Sequence, residues 1–424
     1  MPAPTTVRGH LGRMIHLYWR EALVVLALAV TLCVPLAIPP SRRVALGWMR
    51  CGRTRRLIRA GLAATKMTNM AGQVPRVWSV KATPVGERVQ LRTRPGHSAE
   101  LLSLRMEELR AALHARTVRI DRDPEASNKI TMEVVRRDPL AAVATVAWLD
   151  QDKPTLSLWD PVHLGMTELG VDLRLSLVGR GVIAGGIMDS GKSSLLNLVV
   201  STGAKSPAPL YLIDPQGVQF GPWRARATMY AQKDPDEALA VLEAVQAEVD
   251  DRLAAMEALP GVVRKLTPEV AEVLGLHPFL LAIDELAYHT ATVGSGAQRE
   301  RFASTARDVV SRGRAAGLIP VIGTQRPTQD VVPRALSDLF GIRAAFKTAN
   351  SSNSDVILGD GKAASGYNAA EIDLEARGVA LLLGPGGVPV RIKVAWVSDD
   401  TIDHLATATL PFKPHRRATV AAAA

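Results

Sequence analysis

GIMDSGKSS at residues 186–194, entered through VIAG at 182–185 and left through Leu195, Leu196, Leu198 and Val199, decides how the rest of the chain is read. The first eight residues match G-x-x-x-x-G-K-[ST], and they lie between an expected strand and an expected helix, the context in which that pattern has meaning. Gly186 and Gly191 let the backbone turn tightly enough to aim N–H groups at phosphates, and the start of the following helix adds partial positive charge. Lys192 is expected on the β- and γ-phosphates of ATP, and Ser193 on Mg²⁺. Ile187, Met188, Asp189, Ser190 and Ser194 complete the expected ATP-binding stretch. Asp189 is the unusual member, a carboxylate where phosphates gather. Aspartate tolerates a left-handed backbone, so it can stand in for a glycine, provided that its charge points away from the nucleotide.

Outward from this loop the chain alternates short apolar runs with long helical patterns. The runs are VIAG, LYLID at 210–214, FLLAID at 279–284, IPVIGT at 319–324, RAAF at 343–346 and VALLL at 379–383. That alternation predicts a parallel sheet wrapped by helices. The longest helix is expected over Pro235 to Leu259, with Leu242, Val245, Val249, Leu253 and Met256 as its buried stripe. FLLAIDE at 279–285 ends a buried strand in two acids. Alone, such acids merely cap a strand. Behind an intact phosphate loop they read as a Mg²⁺ ligand, Asp284, and as the group that polarises the attacking water, Glu285. Gln325 follows the next strand and is placed to report the γ-phosphate, because open α/β sheets bind ligands at the carboxyl ends of their strands. Arg312 and Arg314 are candidates for a charge that reaches a neighbouring subunit's ATP; a solvated helix end or a DNA phosphate contact is the alternative for each.

Two cysteines, Cys33 and Cys51, make neither a disulfide framework nor a zinc site. The formal net charge is +10, which suits a nucleic acid or an anionic membrane. Residues 22–38 read ALVVLALAVTLCVPLAI, and 17 uncharged residues make a helix of about 25 Å, short but sufficient for a bilayer. Pro39 and Pro40 are expected to end it. Arg42, Arg43, Arg50, Arg53, Arg55, Arg56 and Arg59 follow without an acid among them, so the positive-inside rule puts the rest of the chain in the cytoplasm. A buried helix and a cleaved signal peptide compete with this transmembrane reading, although no small-x-small site follows the run. The arginines then contact either anionic lipid or DNA. Five segments are expected: 1–60, a membrane anchor with a basic juxtamembrane stretch; 61–79, a connector; 80–155, a small α+β lobe; 156–410, the nucleotide domain; and 411–424, a disordered tail. In the lobe, Val89 and Leu91 share one face of a strand, Leu101, Leu104, Leu109 and Leu113 mark a helix, and 117–120 and 130–135 read as further strands.

GGIMDSGKSS, LYLIDPQG, LLAIDELA, RGRAAGLIPVIGTQRPTQDVVP and IRAAFKTANSSNSDVILGDG together resemble the FtsK/SpoIIIE-type DNA-pumping motors, over roughly residues 80 to 397. The resemblance implies a RecA-like P-loop NTPase, an ATPase that threads double-stranded DNA through a ring, usually of six subunits, with nucleotide between neighbours. The single anchor and the composition look most like actinobacterial conjugative plasmid transfer proteins. A chromosome-partitioning pump and a protein-secretion ATPase are the alternatives. Gln216 and Asp355 depart from the family, which often has lysine and arginine there. The chain after Val397 is too short for the family's winged helix, which needs about sixty residues, so DNA contact is expected to be with phosphates and sequence-tolerant.

Overall fold

The computed structural model describes residues 39–123 and 125–414, which fall into two compact units. In chain order the first unit holds helix α1 (Pro39–Ala64), strands β1 (Arg76–Ala82) and β2 (Gly86–Arg92), helices α2 (Ala99–Leu104) and α3 (Met106–Leu113), and strand β4 (Lys129–Val135). Strand β3 (Thr117–Arg122) completes the sheet order β1-β2-β4-β3, while its residues Thr117–Asp121 group with the second unit. Val89 and Leu91 of β2 are fully buried and Arg88, Gln90 and Arg92 exposed, the two-residue alternation of a sheet with one covered face. Helix α1 covers that face, burying Ile58 and Leu62 beside Leu109 and Leu113 of α3.

Several expectations change here. Pro39 and Pro40 open the helix α1, as proline can in a first turn; the helix they were expected to end lies outside the described residues. The arginine run lies along α1, where Arg50, Arg53, Arg56 and Arg59 are exposed. Residues 61–79, read as a connector, hold the end of α1 and much of β1. Leu101 and Leu104 are exposed and Leu102 is buried instead, because the helix breaks at Arg105 and the periodicity restarts. Residues 22–38 lie outside the described residues, and no described helix is long and apolar enough to cross a membrane. Residues 415–424 are likewise outside them.

The second unit continues with β5 (Val146–Ala147), β6 (Val162–Thr167), β7 (Asp172–Leu175), β8 (Val182–Gly185), α4 (Lys192–Ala204), β9 (Leu210–Ile213), β10 (Met229–Ala231) and α5 (Pro235–Glu257). After these come α6 (Pro268–Leu274), β11 (Phe279–Ile283), α7 (Gly296–Gly313), β12 (Leu318–Thr324), α8 (Arg334–Ser337), β13 (Ile342–Phe346), α9 (Ser351–Leu358), β14 (Val379–Leu383), β15 (Val390–Trp396) and α10 (Asp399–Ala408). One sheet runs β10-β9-β11-β12-β8-β13-β14-β15-β6-β7, with β5 paired to β15. Strands β10 to β13 in that order are parallel, and every pair from β13 to β7 is antiparallel. The sheet is therefore mixed, not parallel throughout, and VALLL is one of its antiparallel strands.

The apolar runs of β8, β9, β11 and β12 are buried on both faces because helices cover both. Along β11, Phe279, Leu281 and Ile283 face one core with α5 and α7; Leu280 and Ala282 face the other, with α4 and α10. Helix α5 begins where the Asp234 carboxylate accepts the N–H groups of Asp236 and Glu237 at 2.8 and 3.1 Å. Its stripe Leu242, Val245, Val249 and Met256 is buried, with Leu253 half-buried at the margin.

Phe346, fully buried at the tip of β13, packs where the phosphate loop leaves β8. Phe346→Ala should lower the free energy of unfolding by about 3–5 kcal/mol, read from guanidinium titration against the unsubstituted chain.

Candidate active site

The central parallel strands end at one edge, and the loops that carry chemistry leave them there. The phosphate loop follows β8, which is flanked by β12 and β13. Its backbone is fixed before any ligand is considered: Gly186 N donates to Thr324 O (3.2 Å), Ile187 N to Lys347 O (2.8 Å), and the Ser190 hydroxyl to Ile187 O (2.7 Å). Asp189 takes φ +59° and its side chain is exposed, with neighbouring Met188 also exposed. The aspartate thus holds a left-handed position and turns its charge outward. Gly191 has φ +100°, and a Cβ there would lie 2.4 Å from the backbone N of Gly378. The same Gly378 N–H donates to Ser190 O at 2.9 Å. The loop is thereby clamped by the turn before β14, a contact from residues far along the chain. Helix α4 then starts at Lys192, leaving Ser193 exposed and Ser194 half-buried at its first turn, where free N–H groups collect anions.

Lys192 is buried, and its Nζ donates to the backbone O of Asp284 at 2.6 Å and to the carboxylate Oδ1 at 3.2 Å. The reach is possible because β12, between β8 and β11, presents Gly323 at the crossing. A Cβ on Gly323 would sit 2.4 Å from Asp284 O and 3.0 Å from Lys192 Nζ. Beside Asp284, the Glu285 carboxylate accepts three protein donors: Thr324 Oγ1 at 2.9 Å and Ala287 N at 3.0 Å on Oε1, and Gln325 N at 2.7 Å on Oε2. Lys192, Asp284, Glu285 and Gln325 therefore meet at one edge. Asp284 and Ser193 offer hard oxygen donors, the kind Mg²⁺ selects.

The two arginines lie elsewhere. Arg312 is held by Asp308 and by Asp250, which raise its pKa further above the usual guanidinium value. Arg314 caps α7 and donates to Gly179 O at 3.1 Å, ahead of β8 and so at the opposite end of the strands. Neither belongs to the phosphate edge of its own chain.

Asp214, at the tip of β9, is a site residue that the apolar run LYLID names without explaining. It is fully buried and accepts Phe220 N at 2.7 Å and Gly217 N at 3.0 Å. Burial raises its pKa, the Phe220 N–H opposes that, and the negative charge of Asp284 adds to the rise. The turn it shapes sends Gln219 Nε2 to Ser193 O at 3.2 Å, and Gln216 is exposed on it. Asp355 likewise shapes a loop, accepting Ala363 N at 2.7 Å and Gly361 N at 3.2 Å. Behind Glu285 the chain makes one turn of π-helix, Tyr288–Thr292, whose buried His289 stacks on Phe302 and bonds Gln232 O at 3.2 Å. Such turns concentrate at functional sites.

A clamped phosphate loop, a lysine on the acid of the next-but-one strand, and a second acid beside it define the P-loop ATPase class. No protein-family model matches the chain. Its curated homologues are FtsK/SpoIIIE-type DNA translocases, and the chain is one of their relatives. It is 29% identical over 274 residues to DNA translocase FtsK of Corynebacterium efficiens, covering 58% of this chain and 27% of that protein. Against DNA translocase FtsK of Staphylococcus aureus it is 24% identical over 344 residues, covering 77% of this chain and 42% of that one. The chain thus spans less than half the length of these relatives. In fold it is similar to the pCW3 conjugation coupling protein TcpA, solved as a monomer with ATPγS: TM-score 0.58, 18% identity, 85% of this chain and 100% of that one. The cytoplasmic domain of the Type VII secretion ATPase EccC of Thermomonospora curvata gives TM-score 0.50 at 18% identity, over 64% of this chain and 35% of that one.

Gly323→Ala should displace Lys192 and weaken binding of a fluorescent ATP analogue by at least about tenfold, the equivalent of 1.4 kcal/mol. His289 gives a pH test. Burial pushes its pKa from 6.5 down to about 4. The unfolded chain therefore binds the proton first, and the stability held by neutral His289 is lost as pH falls from 6.5 towards 4. His289→Phe should flatten the pH dependence of the unfolding free energy in that window, by at most about 1.4 kcal/mol per pH unit.

Proposed function

We propose that this chain is an ATP-driven translocase of double-stranded DNA, anchored in the cell membrane by residues 22–38 with its motor in the cytoplasm, and serving conjugative plasmid transfer. The meeting of Lys192, Asp284, Glu285 and Gln325 at one sheet edge carries the reading. In it, Lys192 and the α4 N-terminus bind the phosphates of ATP. Ser193 and Asp284 would hold Mg²⁺, which would supply positive charge to offset that of the phosphates. Glu285 orients the water that attacks the γ-phosphorus; the bond to the ADP oxygen breaks and the water's proton passes to Glu285. Gln325 senses the loss of phosphate. The +10 charge supports an anionic polymer as the load, and the names of the relatives, DNA translocase and conjugation coupling protein, support DNA and transfer.

The assembly proposed is a homohexameric ring, with Arg314 or Arg312 offered to the neighbour's ATP from the far end of the strands. The likeness to a secretion ATPase supports a second reading, in which the load is a protein.

With full-length chain in lipid nanodiscs, ATP turnover should rise when long duplex DNA is added and fall to background in Lys192→Ala. Turnover indifferent to DNA but raised by an exported protein would transfer the reading to secretion.

A further inference from the structure

The Glu285 carboxylate is engaged by three protein donors. Ionised carboxylates offer about four acceptor positions, and three are taken by Thr324 Oγ1, Ala287 N and Gln325 N, at 2.9, 3.0 and 2.7 Å. These donors fix where its oxygens point. Two of the three donors come from the end of β12, not from the acid's own strand. Thr324 is fully buried, and its hydroxyl is itself positioned, accepting Arg326 N at 3.0 Å while donating to Glu285. Gln325 is half-buried and Arg326 exposed. Within three residues the chain passes from the acid's hydrogen-bond partner to a cation at the surface.

We propose that Thr324 is a positioning residue that restrains Glu285, and that the segment 325–333 releases it when an anionic polymer engages Arg326. The inference rests on the translocase reading for the identity of the polymer, not for the restraint. A pull on Arg326 moves the N–H that orients the Thr324 hydroxyl and, one residue back, the N–H that holds Oε2. Both donors leave together, and Glu285 regains free lone pairs facing the water. The contact is thus a mechanical link from polymer to acid, built from one hydroxyl and two backbone N–H groups. A residue that merely held Glu285 in its working position would act oppositely, since its loss would slow turnover with and without DNA.

The test uses full-length chain in nanodiscs and three variants: Thr324→Val, which keeps the shape and removes the hydroxyl; Thr324→Ser, which restores a donor; and Arg326→Ala. Turnover is measured with and without duplex DNA, and binding of a fluorescent ATP analogue shows that each variant retains its nucleotide site. The expected result for Thr324→Val is DNA-independent turnover raised several-fold, up to about tenfold, the size of one ordinary intramolecular hydrogen bond. Its stimulation by DNA should shrink by a similar factor. Thr324→Ser should return both towards the unsubstituted values, and Arg326→Ala should keep the low basal rate while losing stimulation. Thr324→Val that binds nucleotide yet slows both rates would overturn the proposal. Failure of DNA to stimulate the unsubstituted chain would count against the translocase reading alone, because the basal rate of Thr324→Val still reports the restraint.

Discussion

The contact on which the site depends is the buried one between Lys192 and Asp284. It joins the first residue of α4 to the tip of β11 across an intervening strand, and Gly323 is the gap through which it passes. An ammonium and a carboxylate taken from water are costly unless each is paired. Here the lysine gains both a carboxylate and a carbonyl, so the loop, the acid and the order of the strands are fixed together. The rest of the edge follows. Once β8, β12 and β11 stand side by side, Thr324 and Gln325 fall next to Glu285, and Asp214 arrives on the strand beyond.

Much of this was legible in the sequence, for local reasons. A glycine-rich turn followed by lysine and serine has few uses other than phosphate binding, and a wholly apolar run ending in Asp284–Glu285 has few places to lie other than a buried strand tip. The left-handed position of Asp189 could be anticipated because aspartate tolerates that backbone and can stand in for a glycine. What escaped reading depends on residues far apart. The Gly378 clamp on Ser190 and the Thr324 hydroxyl on Glu285 leave no local pattern. Short apolar runs carry no strand direction, so VALLL at 379–383 read like its parallel neighbours although it runs antiparallel. The leucine spacing in the small unit misled because one break, at Arg105, shifts the helical phase and replaces Leu101 and Leu104 with Leu102.

The two arginines show how motif and geometry divide the labour. Arg312 is committed to Asp308 and Asp250, while Arg314, at an exposed site, donates to a backbone carbonyl. The phosphate edge also presents a graded set of acids. Asp284 is neutralised by Lys192, Glu285 is bound by three donors, and Asp214 is buried with its proton affinity raised. Only the first two lie where ATP is expected.

The most direct measurement is displacement of a third strand from a DNA triplex by the full-length chain in nanodiscs, comparing the unsubstituted protein with Glu285→Gln. ATP-dependent stripping by the former, and none by a Glu285→Gln protein that still binds ATP, is the outcome this account requires. Stripping that survives Glu285→Gln would contradict it, since the work would then be done without the acid on which the whole edge converges.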